Sequence, residues 1–281
     1  MRSARLRASS TIALARAGSI ARGASPRRRR AVSTPCHFMS RASRLVSLAP
    51  RARVARRRAT RAMAGPPTPA RPLGRVARGA ATARVKIDAW LDFACPFSGR
   101  FWRNCTAAWA SYDGKADVAI VVYNQPQPWH AQSALAHEVS LGVERLRGED
   151  AFVAFCEAAF SEKNWDKFTD KFTEKMTKGE MYDLYVDVAR EAMTGAMGAD
   201  AAASTAGEVR KLLELDAEAL ARGEKNPGNA MTQQLKFYVK LGRQTGVHVS
   251  PSAYVNGLFA DTSSGWSESE WHAFFDAARG K

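Results

Sequence analysis

Cys95 is the residue of this sequence best placed for nucleophilic chemistry, within the stretch LDFACPFS at positions 91–98. Residues 84–91 predict a buried strand, and the apolar residues that follow Cys95 recur at helical spacing. Cys95 therefore falls at a strand-to-helix turn, where free backbone N–H groups and the positive end of the helix dipole favour the thiolate. Pro96 fits the first helical turn, which requires no N–H from it. The alternative interpretation is that Cys95 is a small core residue, as free cysteines often are.

Two further features belong to this pattern, namely Ser98 and the stretch VHVSPSAYVNG at positions 247–257. Ser98 lies one turn into the predicted helix, where its hydroxyl is expected to donate a hydrogen bond to the same sulfur. In the second stretch, a Tyr-Val pair before Asn-Gly predicts a strand followed by a tight turn. His248 alternates with two valines just before Pro251. This position is compatible with a histidine that assists proton transfer near the sulfur, or with an ordinary strand histidine.

These two stretches together resemble the DsbA-like branch of the thioredoxin superfamily, over roughly residues 72–281. The resemblance implies an α/β fold of the thioredoxin-like type with a helical insertion. It also implies that Cys95 is the nucleophile, that Pro251 is the cis-proline and that Ser250 precedes it. The sequence departs from the family at Ser98, which stands where the resolving cysteine would be.

The resemblance further implies that an extended peptide or glutathione binds beside the thiol, with Pro96, Phe97, Ser250 and His248 as substrate-binding residues. Cys95 would attack a disulfide and form a mixed disulfide. Without a second cysteine in the motif, glutathione or another thiol must resolve that adduct. We therefore expect a monothiol thiol-disulfide oxidoreductase that reduces or isomerises disulfides in proteins, or removes glutathione from them.

Two alternatives from other functional classes remain open. Kappa-class glutathione transferases and related isomerases share this fold, but they often have Ser at the first motif position, where this chain has Cys95. The third class is a non-catalytic binding module that kept the thioredoxin fold and lost the second cysteine.

The net charge of the chain is misleading about its partners. The 281 residues carry 42 basic and 27 acidic side chains, a formal charge of +15. Residues 1–83 hold 20 arginines and no acid, so residues 84–281 carry 22 basic against 27 acidic groups, a net of −5. Binding to a phosphate backbone requires Lys and Arg clustered on the fold itself, so no nucleic-acid partner is expected.

The first part of the chain, residues 1–70, has the composition of an organellar transit peptide and linker. It is rich in Arg, Ala and Ser and lacks acids, and its best apolar run is too short for a secretory signal. The length and the Ser, Thr and Pro content favour the chloroplast over the mitochondrion only weakly. The alternative is a basic arm that binds RNA or acidic lipid. Residues 71–281 are expected to form the thioredoxin-like domain.

The rest of the sequence predicts mainly helices and no further cofactor. Helical periodicity over residues 133–222 predicts the insertion, at about 130–225. Cys105 and Cys156 fall on apolar helix faces and are interpreted as core residues, with Cys156 as a second redox cysteine the alternative. His130 follows a predicted strand, and it is either a surface or helix-cap histidine or a contact for the substrate or the thiolate. The sequence lacks metal-ligand spacing, a glycine-rich phosphate loop and any run approaching the ~20 apolar residues of a membrane span.

Overall fold

A computed structural model describes residues 67–281 of the chain. Except for residues 67–70, the predicted transit peptide and linker lie outside the described residues. Among the described residues, no helix combines the length and apolarity needed to cross a membrane.

One mixed five-stranded sheet forms the centre of the described part of the chain, in the order β1-β3-β2-β4-β5. Its strands are β1 (Arg75–Arg78), β2 (Val85–Leu91), β3 (Val118–Asn124), β4 (Ser252–Val255) and β5 (Leu258–Ala260). β2 and β3 are parallel and in a register that pairs Leu91 with Asn124, whereas the other neighbouring pairs are antiparallel. The carboxyl ends of β2 and β3 therefore meet at one edge of the sheet.

Eight α-helices surround this sheet in the described residues. They are α1 (Pro96–Ser111), α2 (Ser133–Ala159), α3 (Asp170–Thr173), α4 (Lys178–Met197), α5 (Ala199–Leu212), α6 (Ala217–Ala221), α7 (Thr232–Thr245) and α8 (Glu268–Arg279). The helices α2 to α6 lie in the chain between β3 and α7, and they form the predicted helical insertion. α2 is interrupted at Gly148, whose φ of 84° and ψ of −171° favour a residue without a Cβ.

Apolar burial holds the sheet and its helices together. Alternate positions of β2 and nearly all of β3 are buried, as expected for central strands of a sheet covered on both faces. On one face α1 packs against α8, where the rings of Phe101 and Trp271 meet edge to face with centroids 5.1 Å apart. On the other face Trp90 stacks on Tyr123 at 4.4 Å. The two central strands are thus fixed from both sides.

Local sequence signals account for several element ends. Ser267 and Glu270 form the predicted capping box at the start of α8, and the rings of Trp266 and Trp271 are in contact. The Asn256-Gly257 turn joins β4 to β5 with positive φ at both residues, which is the geometry that Asn-Gly favours in a two-residue hairpin. The predicted turn is confirmed.

The two outer strands, β1 and β5, were not expected from the sequence. β1 is short and carries Arg75, which is only 2% exposed because its guanidinium is paired with the buried carboxylate of Glu144, Nε to Oε1 2.5 Å. β5 is three residues long, and its Leu258 and Phe259 are exposed. β1 lacks the apolar pattern by which a strand is recognised, and the apolar run of β5 is shorter than the roughly four to eight residues of that pattern.

Candidate functional site

Cys95 occupies the N-cap position of α1, as the strand-to-helix pattern predicts. Its φ and ψ of −86° and 120° are extended, and its carbonyl accepts hydrogen bonds from the N–H groups of Ser98 and Gly99, at 3.0 and 3.2 Å. Pro96 is the first residue of the helix, where a missing N–H costs nothing. The residue is 5% exposed. The sulfur therefore lies at the positive end of a 16-residue helix, close to the surface.

The cis-proline loop lies directly against this sulfur. The Cys95 thiol donates to the carbonyl oxygen of Ser250 at 3.2 Å, and the Ser250–Pro251 peptide bond is cis, as predicted. The segment before it is held by Val247, which packs with Trp90 in a small apolar cluster. The two stretches that carried the family resemblance, 155 residues apart at their contact, thus meet at the thiol.

Ser98 does not make the contact that was expected of it. Its side chain is fully buried, and its Oγ accepts a hydrogen bond from the backbone N–H of Asp92 at 3.1 Å. The described residues include no hydrogen bond between Ser98 Oγ and Cys95 Sγ. The expectation of a donor to the sulfur was therefore wrong, because the turn before the helix brings the N–H of Asp92 to the hydroxyl.

Asp92 is the centre of a buried polar network behind the thiol. Its Oδ1 accepts from the N–H of Ala94 at 3.0 Å and from the hydroxyl of Ser133 at 2.5 Å. Its Oδ2 accepts from the N–H of Gln127 at 3.1 Å and lies 2.7 Å from Nδ1 of His130. One fully buried carboxylate therefore joins the turn before Cys95 to the loop after β3 and to the start of α2.

The network keeps this carboxylate ionised. Burial by itself would raise the pKa of Asp92, but the nearby imidazole of His137 and the hydrogen bonds from His130 and Ser133 outweigh it and lower the pKa below its ordinary value. His137 is itself buried, with Nδ1 2.7 Å from Oδ1 of Asn124 and Nε2 3.5 Å from Oδ1 of Asp92. An anion with several donors around it is thus built into the edge of the sheet where β2 and β3 end.

Three exposed apolar side chains belong to the segments that form this site. Phe97 is 55% exposed on the first turn of α1, Trp129 is 59% exposed beside His130, and Val249 is 54% exposed beside Ser250. Large apolar side chains exposed together on a protein surface are typical of a binding site for another molecule. Next to them, His130 and His248 line a cavity of about 460 Å³ between the loop after β3 and α7.

The comparisons with known proteins bear on the fold. No model of a known protein family and no curated protein matches the chain. Among solved structures, a candidate protein-disulfide isomerase from Pseudomonas syringae is 22% identical, with a TM-score of 0.50, over 68% of this chain and 93% of that one. BdbD from Bacillus subtilis in its oxidised form is 19% identical, with a TM-score of 0.49, over 73% and 92%. DsbA from Mycobacterium tuberculosis in its reduced form is 18% identical, with a TM-score of 0.44, over 72% and 86%.

The chain has a DsbA-like thioredoxin fold. The mixed five-stranded sheet with its helical insertion is the predicted fold class, which is confirmed. The similarity to thiol-disulfide oxidoreductases is structural, at 22% identity or less in the comparisons above.

Within the DsbA-like fold, the site residues predicted from sequence separate into two groups. Cys95, Ser250 and Pro251 are in contact, and Phe97 flanks them on α1. His248 instead is exposed and lines the cavity, and the described residues show no hydrogen bond from it to the sulfur. His248 therefore has no part in the hydrogen bonds of the thiol.

Sequence reasoning missed Asp92 and ranked His130 as a surface residue. The structure instead places His130 against the buried carboxylate, with its side chain 15% exposed. Asp92 stands three positions before Cys95 and directly follows the buried residues 89–91, and a carboxylate beside that apolar run was the available signal. Burying a carboxylate without hydrogen-bond partners costs too much free energy, so a buried Asp92 implies that donors lie close to it.

Proposed function

We propose that the protein catalyses thiol-disulfide exchange with Cys95 as its single nucleophile. The observation that carries this proposal is the position of the Cys95 sulfur, at the N-terminus of α1 and 3.2 Å from the carbonyl oxygen that precedes the cis-proline Pro251. A thiolate formed there faces the positive end of the helix dipole. The backbone around Ser250 lies at the distance from which an extended substrate can be held against the sulfur.

In the first step, the Cys95 thiolate attacks one sulfur of a substrate disulfide. A new S–S bond forms between Cys95 and that sulfur, the substrate S–S bond breaks, and the other sulfur leaves as a thiolate that takes a proton from solvent. In the second step, the thiolate of an external thiol attacks the substrate sulfur of the mixed disulfide. An S–S bond forms between these two sulfurs, the bond to Cys95 breaks, and Cys95 leaves as a thiolate. A second external thiol then displaces the substrate thiol from this new disulfide, so two external thiols become one disulfide, two electrons pass to the substrate, and the enzyme is unchanged.

The other thiols of the described residues are poorly placed to resolve the mixed disulfide, which supports the need for an external thiol. Ser98 supplies no sulfur, and both Cys105 and Cys156 are 0% exposed. Burial is the main cause that raises the pKa of each of these two thiols, so their reactive thiolates are disfavoured. Glutathione is the small thiol that we propose for this step, and disulfide-containing or glutathionylated proteins are the proposed substrates.

We propose that His130, held by Asp92, takes part in proton transfer at the site. Because the pKa of Asp92 is lowered, its carboxylate can only accept a hydrogen bond, so Nδ1 of His130 must carry the proton of their 2.7 Å contact. The other ring nitrogen, Nε2, belongs to a side chain that lines the cavity next to the cis-proline loop. We propose that Asp92 is a positioning residue that sets this tautomer.

The composition of residues 1–70 supports a location in an organelle, either the chloroplast or the mitochondrion. Mass spectrometry of the N-terminus of the endogenous protein tests this part. The change in charge along the chain predicts a mature N-terminus between Ala64 and Ala83, and the place of β1 in the sheet narrows this range to residues before Arg75. A retained Met1 on the abundant form would contradict it.

The reaction of the full chain with 2,2′-dithiodipyridine, a neutral disulfide, tests the nucleophile. In this and the following thiol measurements the full chain carries Cys36→Ser, because Cys36 lies outside the described residues. We expect release of one thiopyridone from Cys95 in the folded protein, and reductive turnover when glutathione is added. Cys95→Ser should lose both, whereas Cys105→Ser should keep both. Absence of a Cys95 adduct with either 2,2′-dithiodipyridine or glutathione disulfide would instead favour the non-catalytic binding module.

A further inference from the structure

A continuous groove runs from the candidate site along α7. The cavity that His130 and His248 line, of about 460 Å³, adjoins a second one of about 620 Å³. The two share four lining residues, which makes them one surface depression. The shared residues are Pro126, Ala134, Val239 and Arg243.

One wall of this groove is basic. Lys236, Lys240 and Arg243 line it from α7, and all three side chains are exposed. In the described residues 67–281 none of the three forms an ion pair with an acidic side chain. This wall therefore carries three positive charges on a part of the chain that is net acidic beyond residue 83.

The one carboxylate in the lining, Glu138, offsets only part of this charge, because a single acid faces three cations. It is 7% exposed, and its oxygens accept hydrogen bonds from the Thr232 hydroxyl at 2.8 Å and from the Asn229 side-chain amide at 2.8 Å. The three cations of α7 are exposed to solvent. Pro126, Ala134 and Leu235 add apolar lining to the groove.

The groove reaches the segment that leads into the cis-proline loop. His248 in its lining is two residues before Ser250, whose carbonyl contacts Cys95. From there the basic wall extends away along the helix axis. Lys236 and Arg243 are seven residues apart, which corresponds to about 10 Å of helix rise.

We propose that this groove binds an acidic, extended peptide segment that flanks the target disulfide of a protein substrate, an inference that rests on the proposed function of Cys95. Charge complementarity carries it, since Asp or Glu side chains of the peptide would pair with Lys236, Lys240 and Arg243. The spacing agrees, because Lys236 and Lys240 are about 6 Å apart along the helix, and alternate residues of an extended peptide repeat every ~6.6 Å. The first 83 residues of this chain contain no acid, so the ligand must come from another molecule.

The experiment compares three peptides whose single cysteine carries a neutral 2-thiopyridyl group in disulfide linkage. In them, four residues on one side of the cysteine are Glu and Gln in alternation, Gln throughout, or Lys and Gln in alternation. The Cys95 thiolate attacks the peptide sulfur, the peptide becomes disulfide-linked to Cys95, and thiopyridone leaves with the electron pair and takes a proton. Its absorbance gives the second-order rate constant of the full chain.

We expect the Glu peptide to react about tenfold faster than the Lys peptide at low ionic strength, as three or fewer exposed charge pairs allow. The preference should shrink at 0.5 M NaCl, where the Debye length falls to roughly 4–5 Å. The double variant Lys236→Glu/Lys240→Glu should reverse the order of the peptides. The matched control Lys211→Glu/Lys225→Glu changes the same net charge at exposed residues outside the groove, and it should leave the order unchanged.

The neutral 2,2′-dithiodipyridine separates the two ways in which the result can fail. A chain that does not react with it through Cys95 overturns the proposed function and this inference together. A chain that reacts with it normally but shows no preference among the peptides, or that keeps its preference in Lys236→Glu/Lys240→Glu, overturns the groove alone. Inhibition by a single-stranded RNA oligonucleotide, without preference among the peptides, would also overturn it.

Discussion

Replacing Asp92 by asparagine tests whether the buried anion holds the reactive turn in place. The carboxylate accepts from four donors, two on each oxygen. Asparagine has the same shape but turns one acceptor into a donor. If its amide nitrogen takes the place of Oδ1 it faces the N–H of Ala94, and if it takes the place of Oδ2 it faces the N–H of Gln127. Ser133 and His130 can adapt, because a hydroxyl rotates and an imidazole changes tautomer, but a backbone N–H cannot.

The variant therefore leaves one buried N–H without an acceptor, which costs about 1–3 kcal/mol, and weakens the remaining hydrogen bonds by removing their charge. A neutral amide costs less free energy to bury than a carboxylate, and this difference offsets part of the loss. We expect Asp92→Asn to lower the free energy of unfolding at pH 7 by about 2–4 kcal/mol. Urea denaturation followed by tryptophan fluorescence measures this difference.

The pH dependence of the difference follows from the lowered pKa of Asp92. A carboxyl whose pKa is lower in the folded protein stabilises the fold above its unfolded pKa of about 3.9, and this contribution is lost as pH falls through the folded pKa. The difference between the wild type and Asp92→Asn should therefore be constant between about pH 7 and pH 5 and shrink below about pH 4.

Asp88→Asn is the matched control, because it is the same substitution four residues earlier, on β2, at a carboxylate whose pKa is shifted the other way. A loss of under about 0.5 kcal/mol in Asp92→Asn, or equal losses in the two variants, would refute the reasoning, because surface substitutions alone reach that size. The reaction of Cys95 with 2,2′-dithiodipyridine should also slow in Asp92→Asn, since Asp92 accepts from the N–H of Ala94 next to the thiol.

Three other substitutions have defined expected outcomes. Ser98→Cys should make the mixed disulfide at Cys95 self-resolving, and the release of a bound peptide without added thiol, followed by mass spectrometry, measures this; a persistent adduct would contradict it. Burial raises the pKa of Asp88 to about 6, so the charge of its carboxylate destabilises the fold as pH rises from about 4 to about 6. Asp88→Asn should therefore raise the free energy of unfolding, measured by urea denaturation, by about 1–2 kcal/mol at pH 8 and not at all at pH 4. Cys156→Ser should lower the free energy of unfolding by about 1–2 kcal/mol, because it buries a hydroxyl in an apolar site. The variant should keep the turnover with glutathione. If turnover is lost and Cys95 stays trapped as an adduct, Cys156 is the partner thiol.

The sequence alone was sufficient for the features that depend on near neighbours in the chain. The apolar strand followed by Cys95 and Pro96 predicts the helix start, and Asn256-Gly257 predicts the hairpin turn, because each conformation is set by the φ and ψ that a few adjacent residues prefer. The fold class followed once the two motifs were placed together. The cis bond before Pro251 was predicted in the same way.

The tertiary structure decided the features that depend on distant segments. β1 pairs with β3, which lies beyond β2 and α1 in the chain, and β5 pairs with its neighbour β4 but is only three residues long, too short to show a pattern. The role of Asp92 depends on Gln127, His130 and Ser133, which are 35 to 41 residues away in the sequence. The type of a side chain does not predict which distant residue it will contact.

The choice between the two histidines shows the same limit. His248 is adjacent in sequence to the cis-proline loop and was predicted among the substrate-binding residues, whereas His130 is the one bound to the carboxylate behind the thiol. Sequence proximity places a residue near a site, but the direction of its side chain depends on how the helices and loops pack. The sequence by itself determined which residue is the candidate nucleophile, and only the packing of β2, β3 and α2 around one buried anion decided which residues lie behind it.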